Sequence, residues 1–314
     1  MEEGIMSVKA SAYRFVMRHF ANMNPTRRPD TIGAMQHITE TTFNTRLAAD
    51  LELSQCKTPD GVRYELGSLR GTAPNGRLVL CFHGGAYLAG LANIYRNTAV
   101  ELGRSIGAEV AFLDYDLAPE HRCPVQLEQA MALWNELTKR YAPENIVVVG
   151  DSAGGNLALA FLLKLRDGGF PMPRCGLCFS PLADTTASGS SYIENYQNDV
   201  LFGHRRGHMT DEIRNMILDS NIYAFCKGQD RTDPYISPAF ADFTGFPPMF
   251  LCAGGHELLL SDTTSVAERM TAQGVKVELE IGDRMFHDYI QFHEAVPEGK
   301  EALEKAKRFV ERQW

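Results

Sequence analysis

From Arg77 onward, runs of consecutive apolar residues alternate with stretches whose apolar positions recur every three or four residues. The runs RLVLCF (77–82), EVAFLD (109–114), NIVVVG (145–150), CGLCFS (175–180), MFLCAG (249–254) and VKVELEI (275–281) read as strands. The stretches 94–106, 126–140, 152–167, 261–273 and 301–313 read as helices. Strands that are apolar throughout are buried on both faces, and the helices between them supply the cover. The pattern predicts an α/β fold with a mostly parallel central sheet flanked by helices.

Two regions break the alternation. Residues 1–45 read as an amphipathic helical segment, with Tyr13, Phe15, Val16, Met17 and Phe20 close together ahead of the breaker-rich NPTRRPD. Residues 184–233 lie between two strands and hold a polar loop and one helix, over 211–226. A structureless connection of that length is uncommon in a compact domain. Both regions are expected to form a helical cap over a site, with 46–314 as the main α/β domain and 184–233 as an insertion in it. The plainer alternative for the N-terminal helix is packing on the sheet edge.

Composition narrows the class without choosing a function. The chain has 314 residues, 44% hydrophobic and 22% charged, which is ordinary for a globular protein. No apolar run approaches the roughly 18 residues of a membrane span. The formal net charge of −8 is spread along the chain and disfavours nucleic acid and anionic membrane as partners. Residues Met1 to Ala10 carry two glutamates and no apolar core, unlike a secretory signal. The seven cysteines are odd in number, and Cys81, Cys175, Cys178 and Cys252 sit in apolar runs. They read as free buried thiols of a cytoplasmic protein. Cys175 and Cys178 form a CxxC, but inside a strand rather than at the strand-to-helix turn that redox chemistry uses.

The sharpest chemical signal is Gly150-Asp151-Ser152-Ala153-Gly154, a G-x-S-x-G between an apolar strand and the helix opening NLALAFLL. A nucleophilic serine must stand clear of the sheet on a tight turn, and small residues two positions away let the backbone close up. The helix N-terminus adds a positive dipole end where negative charge develops. His83-Gly84-Gly85-Ala86 ends an earlier strand, and its side-chain-poor backbone suits N–H donors to an oxyanion. With Ser152 as nucleophile, the N–H groups of Gly84, Gly85 and Ala153 are the expected donors. The order Ser…Asp/Glu…His places the general base late in the chain. His287 follows VKVELEI and a short loop, whereas its competitor His293 lies inside the next segment. His83 is expected to buttress the glycine loop. His204 and His208 are four apart, as metal ligands can be, but no cysteine or strand-end carboxylate accompanies them. His256-Glu257 begins like H-E-x-x-H, but Leu260 fills the last position. No metal or cofactor is implied.

These motifs make the chain resemble the bacterial hormone-sensitive-lipase-like esterases, an α/β-hydrolase family with an HGGG-type motif and a GDSAGG elbow. The segments DYDLAPEHRCPVQLEQA (114–130), SPLADTT (180–186), DPYISP (233–238) and FPPMFLCAGGHELLLSD (246–262) carry the same resemblance. It extends over roughly 77–292. Ala86 stands where a third glycine is usual, Asp116 where an arginine is common, and Asp288-Tyr289 where Gly-Phe is frequent. The strand MFLCAG leaves Glu257 and Asp262 as candidate acids. The resemblance puts the acid straight after the strand, which favours Glu257 and leaves Asp262 as a helix N-cap. It also suggests Gly85 and Ala86 as alternative oxyanion donors. The expected activity is hydrolysis of short-chain carboxylic esters through an acyl-enzyme, by the triad Ser152, His287 and Glu257. The alternatives are an amidase or deacetylase, or a non-catalytic small-molecule receptor on the same fold. A small ester is the expected partner, and a homodimer is possible by resemblance.

Overall fold

The computed structural model describes residues 6–28 and 30–314. Residues 1–5 and 29 of the expected N-terminal cap segment lie outside the described residues. The chain opens with α1 (Val8–Val16), prolonged by one wider turn over 17–21, and α2 (Thr31–Thr41). Strands β1 (Leu51–Lys57) and β2 (Arg63–Leu69) form a hairpin. The alternating part follows: β3 (Leu78–Phe82), α3 (Asn93–Ile106), β4 (Glu109–Leu113), α4 (Val125–Leu137), β5 (Ile146–Asp151), α5 (Ser152–Asp167) and β6 (Cys175–Phe179). The connection out of β6 contains α6 (Ser191–Glu194) and α7 (Asp211–Asp219). The chain closes with β7 (Met249–Gly254), α8 (Leu260–Ala272), β8 (Val277–Gly282) and α9 (Pro297–Glu311).

The eight strands form one sheet in the order β1-β2-β4-β3-β5-β6-β7-β8. Strands β3 to β8 are parallel, and β2 pairs antiparallel with both β1 and β4. β3, β5, β6 and β7 are buried along their whole length, as runs without alternation require. From β3 the chain moves to β4 on one side, then returns to β5 on the other. Side chains at the carboxyl ends of β3 and β5 therefore face a crevice at a topological switch point, where open α/β sheets bind ligands.

The pattern placed the strands and the helices α3, α4, α5, α8 and α9 after Arg77 to within a few residues; α9 begins at Pro297 rather than 301 because proline suits a first helical turn. It gave no sign of α6. It missed β1 and β2. In LELSQCK only Leu51 is buried, so an edge strand carried no apolar run to read. The expected helix over 211–226 is α7 followed by tighter turns over 221–226, broken where Ser220 adopts an extended backbone. Of the N-terminal apolar cluster, Met17 is buried and Tyr13 packs edge-on against Phe292, but Phe15 and Phe20 are 60% and 68% exposed. Cys175 and Cys178 both lie buried within β6, and all seven cysteines are free. No helix among the described residues is long and apolar enough to cross a membrane.

One buried ion pair ties the hairpin to the layer above it. Arg96 on α3 meets Glu65 on β2 through Nε–Oε2 at 2.6 Å and Nη2–Oε1 at 2.8 Å, and Gln55 of β1 donates to the same carboxylate. Burial alone would raise the Glu65 pKa, but Arg96 and Gln55 outweigh it and hold the carboxyl below its usual range. Replacing Arg96 by Leu should cost roughly 3–5 kcal/mol in urea unfolding, because it strands Glu65 in the interior. The double variant Arg96→Leu/Glu65→Leu should recover much of that loss.

Candidate active site

The turn between β5 and α5 holds Ser152 at φ 49°, a left-handed backbone that non-glycine residues seldom adopt. The elbow closes because Gly154 lies against the end of β3: a methyl there would fall on the Phe82 carbonyl. The Ser152 hydroxyl is therefore lifted off the sheet beside the loop that follows β3. In that loop Gly85, Ala86 and Tyr87 all have positive φ (101°, 55° and 59°). Tyr87 pins the loop to α5 through a 2.8 Å hydrogen bond from its hydroxyl to Asn156.

The Gly84 N–H, expected to face an oxyanion, is committed elsewhere: it donates to Asp151 Oδ1 at 3.1 Å. The N–H groups of Gly85 and Ala86 have no protein acceptor among the described residues. Burial, with Asp288 nearby, pushes the Asp151 carboxyl well above its ordinary pKa. Beneath the loop, His83 stacks on Tyr115 at 4.1 Å, and the Tyr115 hydroxyl donates to the His83 carbonyl at 2.7 Å. Burial lowers the His83 pKa to about 4, so the ring is neutral packing material.

The other side chains arrive from β7 and β8. His287 Nε2 lies 2.9 Å from Ser152 Oγ. His287 Nδ1 lies 3.3 Å from Glu257 Oε2, a close contact less well aligned than a full hydrogen bond. That oxygen accepts its full hydrogen bond from Ser180 Oγ at 2.8 Å. Ser180 Oγ in turn accepts the Asp288 N–H at 3.1 Å, so one hydroxyl ties the Glu257 loop to the His287 loop. Asp288 Oδ2 is 3.1 Å from His287 Nε2. Burial lowers the His287 pKa, but Asp288 and Glu257 more than offset it and hold the imidazole well above its ordinary value. Burial raises the Glu257 carboxyl against the pull of His287.

Asp262 is not an N-cap. It lies in the first turn of α8 and accepts the N–H groups of Ala183 and Asp184 at 2.9 and 2.8 Å, bracing the segment after β6. His293 sits in the turn leading to α9 and makes no contact with Ser152; burial lowers its pKa to about 4. His204 and His208 lie in an irregular loop, not on one helical face. Asp116 pairs with Arg63 at 3.0 Å.

Two apolar cavities meet at Ser152. The first is walled by Leu182, Tyr192, Ile217, Ile222 and Tyr223. The second is walled by Met17, Met23, Met35 and Ile38 from the N-terminal segment and contains His287 and Asp288. Phe202 lines both and packs edge-on against His287, with centroids 5.4 Å apart. Phe202 is held from both sides. Asn22 donates to the Val200 and Gly203 carbonyls and Asn24 to the Phe202 carbonyl. Asp199 accepts the N–H groups of Leu201, Phe202 and Leu258, and Asn195 donates to the carbonyls of Gly255 and Glu257. Sequence reading missed Ser180, Asp199, Phe202 and the contact of Asp288 with His287. Ser180 lies in SPLADTT and Asp288 reads only as a departure, while Asp199 and Phe202 carry no motif; the fold brings them together.

A family model described as the alpha/beta hydrolase fold matches residues 79–291. An acetyl-hydrolase of Streptomyces hygroscopicus is 33% identical over 243 residues, which is 77% of this chain and 78% of that protein. An esterase of Acinetobacter venetianus is 30% identical over 257 residues, 80% of this chain and 79% of that one. Among solved structures, EstE5 soaked with p-nitrophenyl butyrate superposes with a TM-score of 0.84 at 32% identity, over 98% of this chain and 99% of that one. An esterase of the bacterial hormone-sensitive lipase family gives 0.84 at 29% identity over 99% of both chains. With an elbow serine at the switch point, a glycine loop beside it and these relatives over most of its length, the chain belongs to the α/β-hydrolases and, within them, to the bacterial hormone-sensitive-lipase-like esterases.

Proposed function

We propose that the protein is a carboxylesterase that hydrolyses short-chain esters, with Ser152 as nucleophile, His287 as general base and Glu257 as the acid that orients it. The observation that carries this reading is the 2.9 Å contact from His287 Nε2 to Ser152 Oγ, with Glu257 behind the other ring nitrogen. Ser152 attacks the ester carbonyl as His287 takes its proton, and the N–H groups of Gly85, Ala86 and Ala153 hold the oxyanion. His287 then gives the proton to the leaving alcohol, and water resolves the acyl-enzyme. The leaving oxygen must approach Nε2, so the alcohol occupies the cavity that contains His287 and the acyl chain the other. The acyl cavity is walled by Ile217 of α7 and by Ile222 and Tyr223, bulky side chains that favour short acyl chains.

Ser152→Ala should lower kcat on p-nitrophenyl butyrate by on the order of a million-fold and abolish labelling by a fluorophosphonate, with the fold intact by circular dichroism. Residual activity above a few per cent in a clean preparation overturns the reading.

The acid is tested by comparing two amides. Glu257→Gln removes the charge behind His287 and should lose roughly 10⁴-fold in kcat. Asp262→Asn should keep its kcat within about ten-fold and instead lower the melting temperature, since its carboxylate holds two backbone N–H groups rather than a ring. The reverse pattern would move the role to Asp262.

His287 must be neutral to accept the serine proton, and its pKa is raised above the ordinary histidine value. Activity should therefore be lost as pH falls through that raised value. The acid limb of kcat/KM should lie above the ~6.5 of a free imidazole. In Asp288→Gly, which removes one of the two carboxyl groups facing the ring, the limb should move to lower pH. A limb at or below the free-imidazole value in the wild-type protein would argue against the arrangement.

A further inference from the structure

Three residues, Ala86, Ser152 and Phe202, line both of the cavities that meet at Ser152. Ser152 is the nucleophile, and Ala86 belongs to the loop that supplies oxyanion donors. Phe202 is the one large side chain of the three. Its ring packs edge-on against His287, whose Nε2 is 2.9 Å from Ser152 Oγ, so it stands within one side chain of the reacting atoms. The backbone behind the ring is fixed. Asp199 Oδ1 accepts the N–H groups of Leu201 and Phe202 at 2.7 Å each, and Asn24 Nδ2 donates to the Phe202 carbonyl at 2.7 Å. At Gly203 a methyl would fall on the Tyr196 carbonyl, so the turn after Phe202 closes more tightly than a side chain would allow. A ring on a backbone held this way gives little ground to a ligand, and its edge-on contact with the imidazole adds to the hold.

The inference rests on the esterase reading, with the acyl chain in one cavity and the alcohol in the other. The two carbons that flank the ester group then lie where the cavities meet. We propose that Phe202 is the partition between the acyl and alcohol pockets, and that it selects esters unbranched at both of those carbons, straight acyl chains on primary alcohols. The other walls serve one pocket each: Tyr192 and Tyr223 belong to the acyl side, Met35 and Ile38 to the alcohol side. A change at any of these alters one half of the substrate, whereas a change at Phe202 alters both. One methyl group in an apolar pocket is worth roughly 10–200-fold in kcat/KM. A branch beside the ester group must push against the fixed ring, while a longer unbranched chain meets only the far walls.

The test uses two pairs of esters. p-Nitrophenyl butyrate and p-nitrophenyl 2-methylbutanoate differ by one methyl on the acyl carbon beside the carbonyl. Propyl butyrate and 1-methylpropyl butyrate, followed by pH-stat, differ by one methyl on the alcohol carbon. For each pair, kcat/KM of the straight ester over the branched one gives a discrimination ratio, and intrinsic reactivity cancels when ratios are compared between proteins. Both ratios should fall about ten-fold or more from the wild-type protein to Phe202→Ala, with Phe202→Leu in between. An equal loss on all four esters, with both ratios unchanged, is what a purely structural role gives and overturns the proposal. So does a fall in one ratio alone, which would make Phe202 a wall of a single pocket. If Phe202→Ala does not fold, Phe202→Leu decides: both ratios down by about three-fold or more uphold the partition, and anything less overturns it. Turnover of propyl butyrate that disappears with Ser152→Ala keeps the esterase reading in place when the ratios do not move. No turnover of any ester, with Ser152 unlabelled by a fluorophosphonate, overturns both.

Discussion

The site depends on how closely the start of α5 approaches the end of β3. Only a residue without a side chain fits where Gly154 meets the Phe82 carbonyl, and that contact forces the chain through the left-handed turn at Ser152. Relaxing the approach by one methyl would separate the serine from the 85–87 loop. The parallel sheet makes the approach possible. β3 and β5 are direct neighbours in register from Leu78 and Ile146 to Phe82 and Gly150, so their carboxyl ends finish side by side. The strain at Ser152 is sustained by the buried core beneath it, where α5 is buried from Ser152 to Leu163.

A second constraint runs through the loop beside the site. The segment 195–203 is bonded on one side to Asn22 and Asn24 and on the other to the loop that carries Glu257. Phe202, which packs on His287, therefore has its position set by the N-terminal segment and the acid loop together. The N-terminal residues that cover the site are methionines and an isoleucine, flexible or branched side chains that fill an irregular apolar volume. Phe15 and Phe20, which the sequence singled out, face outward instead, while Tyr13 packs against Phe292. A helical pattern shows that an apolar face exists; it does not show which of two apolar stripes turns inward.

The elements after Arg77 were legible because buried parallel strands leave unbroken apolar runs and their covering helices leave a 3.6-residue period. β1 was not, because an edge strand buries little, and β2 was not, because its buried positions include Glu65 and Gly67 and leave no apolar run. The serine turn was legible because strand, G-x-S-x-G and helix are contiguous. The distinction between Glu257 and Asp262 rested on resemblance, and the structure separates them by position. Glu257 is beside an imidazole, and Asp262 is stapled to two backbone amides. The Gly84 donor was misjudged because the alternative acceptor, Asp151, is 67 residues away in sequence and only the β3–β5 pairing brings it close.

The carboxyl groups gathered in this small region differ in their surroundings, which assign them different work. Asp151 and Asp262 each accept backbone N–H groups and are structural. Glu257 and Asp288 face opposite nitrogens of one imidazole. Two carboxyls on a single ring favour its charged form more than one would, so they stabilise the imidazolium of the transition state and also the protonated resting histidine. Only interactions that strengthen between those two states accelerate the reaction. Glu257 meets the ring at Nδ1, away from Ser152, whereas Asp288 shares Nε2 with the Ser152 hydroxyl, so the two carboxyls are not interchangeable around this imidazole.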